Sequence, residues 1–460
     1  MKSKFWILVI NMIFFSSCET LGGLDNVEID GRIPVEQAYE NEGVIEAAII
    51  GAYASIRNMI PMPAVLSGSG LSGQLSVRDF GLGATFVNHT VRSNNIAISD
   101  IYGGGYRALA NANELIIRLP KTGEEVLSEA KRNFYLGEAK FMRALSYFYM
   151  LRVYGEFYNQ NSEYGIVLGP IEYDENNNPI PQKRATVKES YRFILEDIND
   201  VLNSGIPNSG DASRATIKAA KALKMKVLLY MRRYDEVVEI GKEFVGSELE
   251  SKYENIYVRG HTGVDIIFAT PTDFVFSNYE GGGYTEGIIP GSVFLNTLQK
   301  KEGDWNRISR TLPSDTHQTG FKWAFTYPNP PAWMHLRIPE VLLIYAEAKA
   351  RVVKAASGTI EELSVEVSEL NRIRERAGVV PKQPENINEF LKIIRLEKLM
   401  ELYYENGEDW FDLVRYHIEE DLNIFLIKDK LDSKENFVYP IPEEEIMIGG
   451  GIIVQNPGYE

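Results

Sequence analysis

Two pairs of adjacent amphipathic helices constrain this chain more than any other feature of its sequence. The first pair spans 215–245, with a break at Arg232 and Arg233, and the second spans 340–351 and 361–376. The apolar residues that recur at helical spacing in the first pair are Ala219, Leu223, Val227 and Tyr230, then Tyr234, Val237, Ile240 and Phe244. Because a single helical hairpin cannot bury its own apolar face, such pairs stack on one another. The pattern therefore predicts a helical scaffold.

Each pair resembles a tetratricopeptide hairpin, whose two helices total about 34 residues. Capping boxes, in which a threonine precedes a glutamate by three residues, mark helix starts at Thr186 and Thr359. Helical blocks are predicted at about 34–58, 104–154, 186–246, 334–376 and 386–405. We expect a mainly α fold, a tetratricopeptide-like helical-repeat scaffold.

Two long stretches, 59–100 and 251–333, lack this periodicity and are rich in Gly, Ser, Asn and Pro. Short strands are predicted within the second one, at Asp265–Ala269 and Asp273–Phe276. Long loops inside compact domains are usually functional. We therefore expect an irregular, loop-rich half that contains short strands and supplies variable ligand-binding loops.

The N-terminus has the pattern of a bacterial lipoprotein signal. Lys2 and Lys4 precede an apolar run at 5–15, which is too short to span a bilayer, and two small residues then precede Cys18. This pattern resembles a lipobox, so we expect residues 1–17 to be cleaved and Cys18 to be acylated. The alternative is a cysteine that happens to end an ordinary signal peptide. Residues 18–33 are predicted to form a tether, and 34–460 the folded domain.

Net charge limits which partners the chain can bind, and cysteine content limits how the fold can be stabilised. Cleavage would remove Lys2 and Lys4, taking 48 basic residues to 46 against 64 acidic residues, so the net charge of −16 becomes −18. Such a chain repels phosphate backbones, which argues against nucleic acid as a partner. Cys18 is the only cysteine, so no intramolecular disulfide can stabilise the fold.

Five sequence blocks occur in a characteristic order along the chain. The blocks are Leu136–Leu145 continuing to Gly155, Leu336–Ala348, Leu370–Gly378, Arg395–Glu405 with Asp409–Arg415, and Tyr439–Pro442 with Gln455–Tyr459. In these blocks and their order the chain resembles the SusD/RagB family of outer-membrane nutrient-binding lipoproteins. The resemblance implies a lipid-anchored protein of the outer membrane, facing the exterior, that partners a SusC-like TonB-dependent transporter. The chain is short for the family, and its 59–100 region lacks tryptophan.

No residue pattern indicates catalysis, a cofactor or a metal site. Gly68, Gly70 and Gly73 spell GxGxxG without the flanking strand and helix that a dinucleotide site needs, and no GxSxG motif occurs. The five histidines have no paired spacing for zinc. The glutamates that follow one helical face are Glu397, Glu401, Glu405 and Glu408. They would suit glycosidic chemistry, but nearby basic residues favour a salt-bridged or solvated face.

Aromatic residues in the second loop region are the candidate ligand contacts. They are Tyr279, Tyr284, Trp305, Trp323 and Trp333, and they lie among glycine, proline and polar residues. Flat rings with polar neighbours suit the faces of sugars. The alternative is that about half of such rings pack the loops onto the scaffold. For Trp305 the structural role is favoured, while Tyr284 and Trp323 are the first choices for ligand contact.

The expected function is binding of glycan or oligopeptide at the cell surface and delivery to the transporter, with no bond broken. Two rival classes stay open. One is a repeat scaffold that binds another protein, and the other is a glycosidase or peptidase. The sequence feature against the enzyme is the missing catalytic signature.

Overall fold

The computed structural model describes residues 38–59, 75–77, 82–170, 172–175, 179–271, 288–290, 304, 307, 332–402, 405–428 and 430–459. Within these residues the chain is mainly helical, as predicted. The predicted signal, Cys18 and the tether lie outside them, as does the predicted strand at 273–276. In the described part of the chain, no helix combines the length and the apolar character needed to cross a membrane.

The helices and strands are named here in chain order. The helices are α1 (Glu42–Met59), α2 (Leu82–Val87), α3 (Ile96–Arg118), α4 (Glu129–Tyr154), α5 (Val187–Leu202), α6 (Ile217–Tyr230), α7 (Tyr234–Gly241), α8 (Asn255–Arg259), α9 (Ile338–Ala355), α10 (Ser364–Arg376), α11 (Ile387–Glu401), α12 (Glu408–Ile418) and α13 (Glu443–Ile448). The strands are β1 (Leu75–Val77), β2 (Glu172–Tyr173), β3 (Pro179–Ile180), β4 (Ile266–Pro271), β5 (Ile288–Pro290) and β6 (Ala332–Arg337). They form three antiparallel pairs, β1 with β5, β2 with β3 and β4 with β6.

The helices pack as a continuous series of neighbours. From α3, each of α4, α5, α6 and α7 packs on the one before it, α7 packs on α9, and α9 packs on α10 and α11. The hairpins α6/α7 and α9/α10 therefore stack, which confirms the tetratricopeptide-like scaffold. Arg232 takes a left-handed φ of 59° at the predicted break between α6 and α7.

Helices α4 and α9 form the centre of the core. From Ile338 to Ala348 every residue of α9 is buried, and so is every residue from Ser146 to Tyr154 of α4. A helix that is buried on all sides needs neighbours all round, which the stack supplies. The charged residues of these two helices must therefore find partners inside the protein.

Local signals set several helix starts. The capping box of Thr186 and Glu189 opens α5 as predicted, and that of Thr359 and Glu362 opens a 3₁₀ turn before α10.

Gly105 lets α3 approach α4 closely, because a Cβ there would lie 2.1 Å from Sδ of Met150.

Some boundaries differ from the predicted ones. The 59–100 stretch is not all loop, since it contains β1, α2 and the start of α3, where the Asn95 side chain caps the helix. Strand β4 lies at the predicted place, but β6 precedes α9 where a helical block from 334 was predicted. Helix α12 was not predicted, because it follows two left-handed residues, Asn406 and Gly407, that interrupt the helical pattern.

Candidate ligand-binding site

The second loop region leaves the scaffold and returns to it through one pair of strands. Strands β4 and β6 pair from Ile266 with Arg337 to Pro271 with Ala332. The segment between them, 272–331, is called the excursion here. Its two ends start side by side at the edge of this pair, which we call the base. The base therefore fixes where the excursion joins the scaffold.

The two loop regions predicted to share a ligand meet through their backbones. Strand β1, from the first region, pairs antiparallel with β5, from the excursion, and Ser76 lies opposite Ile289. Part of 59–100 thus lies against part of 251–333. Sequence alone gave no register for this contact, because each strand has only three residues.

Trp333 is the one predicted ligand residue whose surroundings are described. It lies in β6 with 7% of its surface exposed, and its indole N–H donates to Oδ1 of Asn406 at 2.9 Å. The Asn406 amide in turn donates to the carbonyl of Met334 at 3.0 Å. These contacts place the Trp333 ring in the packing of the base, where it is not proposed to contact ligand. Tyr279, Tyr284, Trp305 and Trp323 lie outside the described residues.

Arg307 ties the excursion to the scaffold. Its guanidinium is fully buried and donates to Glu397 at 2.6 Å and to Glu401 at 2.9 Å, both on α11. Asp304, three residues earlier, accepts a further bond at 3.0 Å. A residue of the excursion is thus held by two carboxylates that lie 90 and 94 positions later in the sequence. The three-residue spacing of Asp304 and Arg307 is visible in the sequence, but no local pattern predicts that Arg307 contacts Glu397 and Glu401.

Arg307 belongs to a larger group of buried charges beneath the base, which we call the base cluster. Its members are Arg307, Arg337, Arg374 and Arg376 with Asp265, Asp304, Glu397, Glu401 and Glu405. Arg337 donates to Glu401 and Glu405 at 2.8 Å each. Buried charges are tolerated only when they are paired in this way.

The electrostatics of the cluster keep its central carboxylate ionised. Burial by itself would raise the pKa of Glu401, but Arg376, Arg337 and Arg307 together lower it far below its ordinary value. The pKa of Asp265 is raised, because burial outweighs the attraction of Arg376 and Arg337. A proton donor for glycosidic cleavage needs a raised pKa and access to substrate. Glu401 has neither.

The other glutamates of the same run are also paired with basic side chains. Glu397 binds Arg374 at 2.6 Å, and Glu408 accepts from Arg152 and Lys226 at 2.8 Å each. None of the four is more than 9% exposed. Glu397 and Glu401 lie on α11, Glu405 lies between two helices and Glu408 begins α12, so the predicted single helical face is wrong. The predicted salt bridges are present, and these carboxylates are structural.

The described histidines do not meet at one site. His335, on β6, is buried, and its Nε2 lies 2.9 Å from Oγ1 of Thr270 on β4. Burial, and to a smaller extent Lys226, lowers its pKa to about 3. Across the described ranges, no group of three or more His, Cys, Asp and Glu side chains is arranged to hold a metal ion.

A groove of about 640 Å³ lies elsewhere, between α10 and the segment at 381–384. Two of its polar lining residues are already engaged: Asn371 exchanges two hydrogen bonds with the backbone of Lys382, at 2.8 and 2.9 Å, and Arg372 binds Glu369. None of the predicted ligand residues lines it.

Comparison with known families bears on the same regions. The family described as "SusD family" matches residues 316–459, and the one described as "Starch-binding associating with outer membrane" matches residues 28–229. The chain belongs to the SusD/RagB family. The first match contains β6 and α11, and the second contains α1 to α5 and all but the last residue of α6. The resemblance inferred from the five sequence blocks is thus confirmed.

Individual relatives of this SusD/RagB chain are distant in sequence but similar in fold. A SusD-like protein of Bacteroides ovatus is 23% identical over 92% of this chain and 85% of its own length. A SusD superfamily protein of Parabacteroides distasonis has a TM-score of 0.73 at 20% identity, covering 93% of this chain and all of that one. A laminarin-binding SusD-like protein has a TM-score of 0.69 at 19% identity, covering 92% and 100%. At these identities the structures establish the fold.

Proposed function

We propose that the chain binds glycan at the cell surface and releases it unchanged. The observation that carries this proposal is the arrangement of the base. Strands β4 and β6 deliver both ends of an aromatic-rich excursion to one place, and β1 and β5 join it to the 59–100 region. A related protein of the same fold binds laminarin, which supports a sugar ligand. Tyr284 and Trp323 are the proposed stacking rings.

The state of the described carboxylates supports binding without catalysis. The best-spaced glutamates of the chain are buried and neutralised by arginine and lysine, so they offer no exposed acid and base pair. Oligopeptide is the second ligand class, because the excursion also carries charged residues such as Lys322. Ligand arrays distinguish the two classes directly.

The test uses protein that begins at residue 19, applied to glycan and oligopeptide arrays, followed by calorimetry on the best ligands. Laminarin is the first glycan to include. We expect saturable binding of at least one glycan and no change in its chain length after prolonged incubation. Binding only to peptides would show that the ligand is an oligopeptide and not a glycan. Release of shorter products would favour the glycosidase or peptidase hypothesis. Binding only to other proteins would favour the hypothesis of a protein-binding repeat scaffold.

We further propose that Cys18 is acylated and anchors the protein in the outer membrane. The order of lysines, apolar run, small residues and cysteine supports this. Metabolic labelling with a fatty-acid analogue is the test, with Cys18→Ser as the matched control. We expect label in the wild type alone, and equal label in both proteins would remove the proposal.

The remaining part of the proposal is delivery of the ligand to a SusC-like TonB-dependent transporter. Membership of the SusD/RagB family supports it. Purification of tagged protein from the native host in mild detergent should recover such a transporter in stoichiometric amount. Recovery of the lipoprotein alone, at several detergent concentrations, would count against delivery while leaving glycan binding intact.

A further inference from the structure

The segment at 447–454 near the C-terminus exposes large apolar side chains, and we call it the apolar knob. Met447 is 74% exposed, Ile448 68%, Ile452 41% and Val454 56%. Four such residues within eight positions are unusual for a surface, because isolated apolar residues are normal there but clusters mark contact sites. The knob therefore requires an explanation beyond chance exposure.

The backbone of the knob is held in place on both sides. Glycines reverse the chain between its two arms, with φ of 55° at Gly450 and 85° at Gly451, and the Ile452 N–H donates to the Gly449 carbonyl at 2.9 Å. The Val454 carbonyl accepts from Arg184 at 2.9 Å. The exposed side chains are therefore presented by a fixed turn and do not belong to a frayed end.

The ends of the knob are anchored in the protein interior. Beyond it, the buried Asn456 amide donates to the carbonyls of Tyr154 and Tyr439 at 2.9 and 2.6 Å. Before it, the N–H of Glu443 donates to the carbonyl of Ser93 at 3.0 Å. These contacts fix the position of the knob relative to the rest of the protein.

Other exposed apolar residues flank the same part of the molecule. Ile96, 61% exposed, begins α3 close to the Ser93 contact, and Lys430 binds Asn88 at 2.6 Å just after the exposed Leu426 and Ile427. Of the twelve large apolar residues exposed in the described part of the chain, seven belong to these segments. They are Ile96, Leu426, Ile427, Met447, Ile448, Ile452 and Val454. The segments that carry these seven residues thus either belong to the 88–96 stretch or are joined to it by a hydrogen bond.

Charge at the knob limits what can cover it. Three consecutive glutamates, Glu443 to Glu445, begin α13, and burial and then the neighbouring Glu444 raise the pKa of Glu445. The basic residues nearby are Arg92 and Lys430, which are exposed, and Arg184, whose guanidinium is engaged by backbone carbonyls. A second copy of this acidic edge, or an anionic lipid surface, would be repelled.

We propose that the apolar knob docks onto a protein whose contacting face is apolar and bordered by lysine or arginine. Protein interfaces combine an apolar centre with a polar rim, and complementary charge fixes their orientation. This inference rests on the proposed function, because the partner it assigns to the knob is the transporter to which the ligand is delivered. It adds the surface of contact and its chemistry.

The test compares knob variants with a matched control in the native host. Met447→Glu/Ile448→Glu places charge at the centre of the knob, and Val380→Glu changes a residue that is also 74% exposed but lies after α10. We expect the knob variant to lose at least tenfold in co-purified transporter, while the control retains the wild-type amount. Glycan affinity and melting temperature of the purified knob variant should match the wild type.

A photo-crosslinking amino acid at position 448 provides a second readout that does not depend on complex stability. We expect an adduct with the transporter, and none from position 380. If the knob variant co-purifies as much transporter as the wild type, the proposed role of the knob is overturned while the proposal of delivery stands. An adduct with the mass of two copies of this chain, or binding of the knob to vesicles of phosphatidylglycerol, would also overturn it. Absence of transporter from the wild type would overturn delivery and the knob together.

Discussion

The base of the excursion and the apolar knob invert the usual distribution of residues. At the base, four arginines and five acids are buried and paired with one another. At the knob, methionine, isoleucine and valine face solvent on a fixed turn. The two regions contribute to the protein in different ways: one fixes an internal geometry, and the other offers a surface to a partner.

The difference lies in which contacts are already complete. Each buried charge of the base has a partner within the same chain, so its desolvation is offset where it stands. The apolar surface of the knob has no such covering in the described part of the chain, and its burial would favour association. Substitutions should therefore affect folding at the base and association at the knob.

The largest effect is expected for Glu401→Gln, at the centre of the base cluster. Glu401 pairs with Arg307, Arg337 and Arg376, so the amide leaves buried positive charge uncompensated. Removal of one partner from such a cluster costs about 3–5 kcal/mol of unfolding free energy. Urea unfolding at pH 7 measures it, with the exposed Glu443→Gln as control. Equal stability of the two variants would show that the cluster is not structural.

A smaller effect is expected from acidification, through His335 on β6. Its folded pKa of about 3 lies below the unfolded value of 6.5, so the unfolded state binds the proton more readily. Stability from this group is complete above pH 6.5 and falls as the pH drops towards 3. Between pH 7 and pH 5 the loss should be about 2 kcal/mol.

Urea unfolding of the wild type and His335→Gln at both pH values isolates that contribution. The variant should lose about 2 kcal/mol less than the wild type over the same interval. An identical pH dependence for the two proteins would assign the loss to other groups. Glu445, near the knob, has a raised pKa, so its protonation on acidification favours the folded state, opposite to that of His335.

Trp333→Phe should have a still smaller effect, because it removes one hydrogen bond and keeps an aromatic ring in the base. The bond from the indole to Asn406 is 2.9 Å long, and its loss should cost about 1 kcal/mol of unfolding free energy. Calorimetric titration of the same variant should give unchanged glycan affinity. A clear loss of affinity at unchanged stability would return Trp333 to the ligand site.

The smallest effect on stability is expected at the knob. Met447→Ser and Ile448→Ser alter side chains that are 74% and 68% exposed, so each should change the free energy of unfolding by no more than about 0.5 kcal/mol. Thermal and urea unfolding of the purified variants measure this. Destabilisation of several kcal/mol would mean that the knob is part of the core.

The sequence predicted features that depend on neighbouring residues. The hairpin of α6 and α7, the capping boxes at Thr186 and Thr359, and strand β4 all follow from spacing within one helical turn or one strand. The start of helix α3 was predicted too late, because the glycines at 103–105 weaken the helical pattern, although Gly105 serves the helix by allowing close packing on Met150.

Features that depend on distant residues could not be predicted. Arg307 and Glu397 are ninety positions apart, and nothing in a single sequence shows that they pair. Trp333 was expected to face ligand because it follows a proline-rich loop, but all six residues of β6 are buried, so the alternation that reveals a strand's exposed face is absent. The contacts of Tyr284 and Trp323 stay predictions.

Calorimetry and thermal melts of Tyr284→Ala and Trp323→Ala, with the glycan bound best on the array, test most directly whether the excursion holds the ligand. If each ring stacks on sugar, binding should weaken by about 1–3 kcal/mol, by analogy with rings that stack on bases, while the melting temperature stays nearly unchanged. Phe141→Ala, in the core, is the control and should lose about 3–5 kcal/mol of stability. A large fall in melting temperature with unaltered affinity, for both loop variants, would contradict the account and assign these rings to packing.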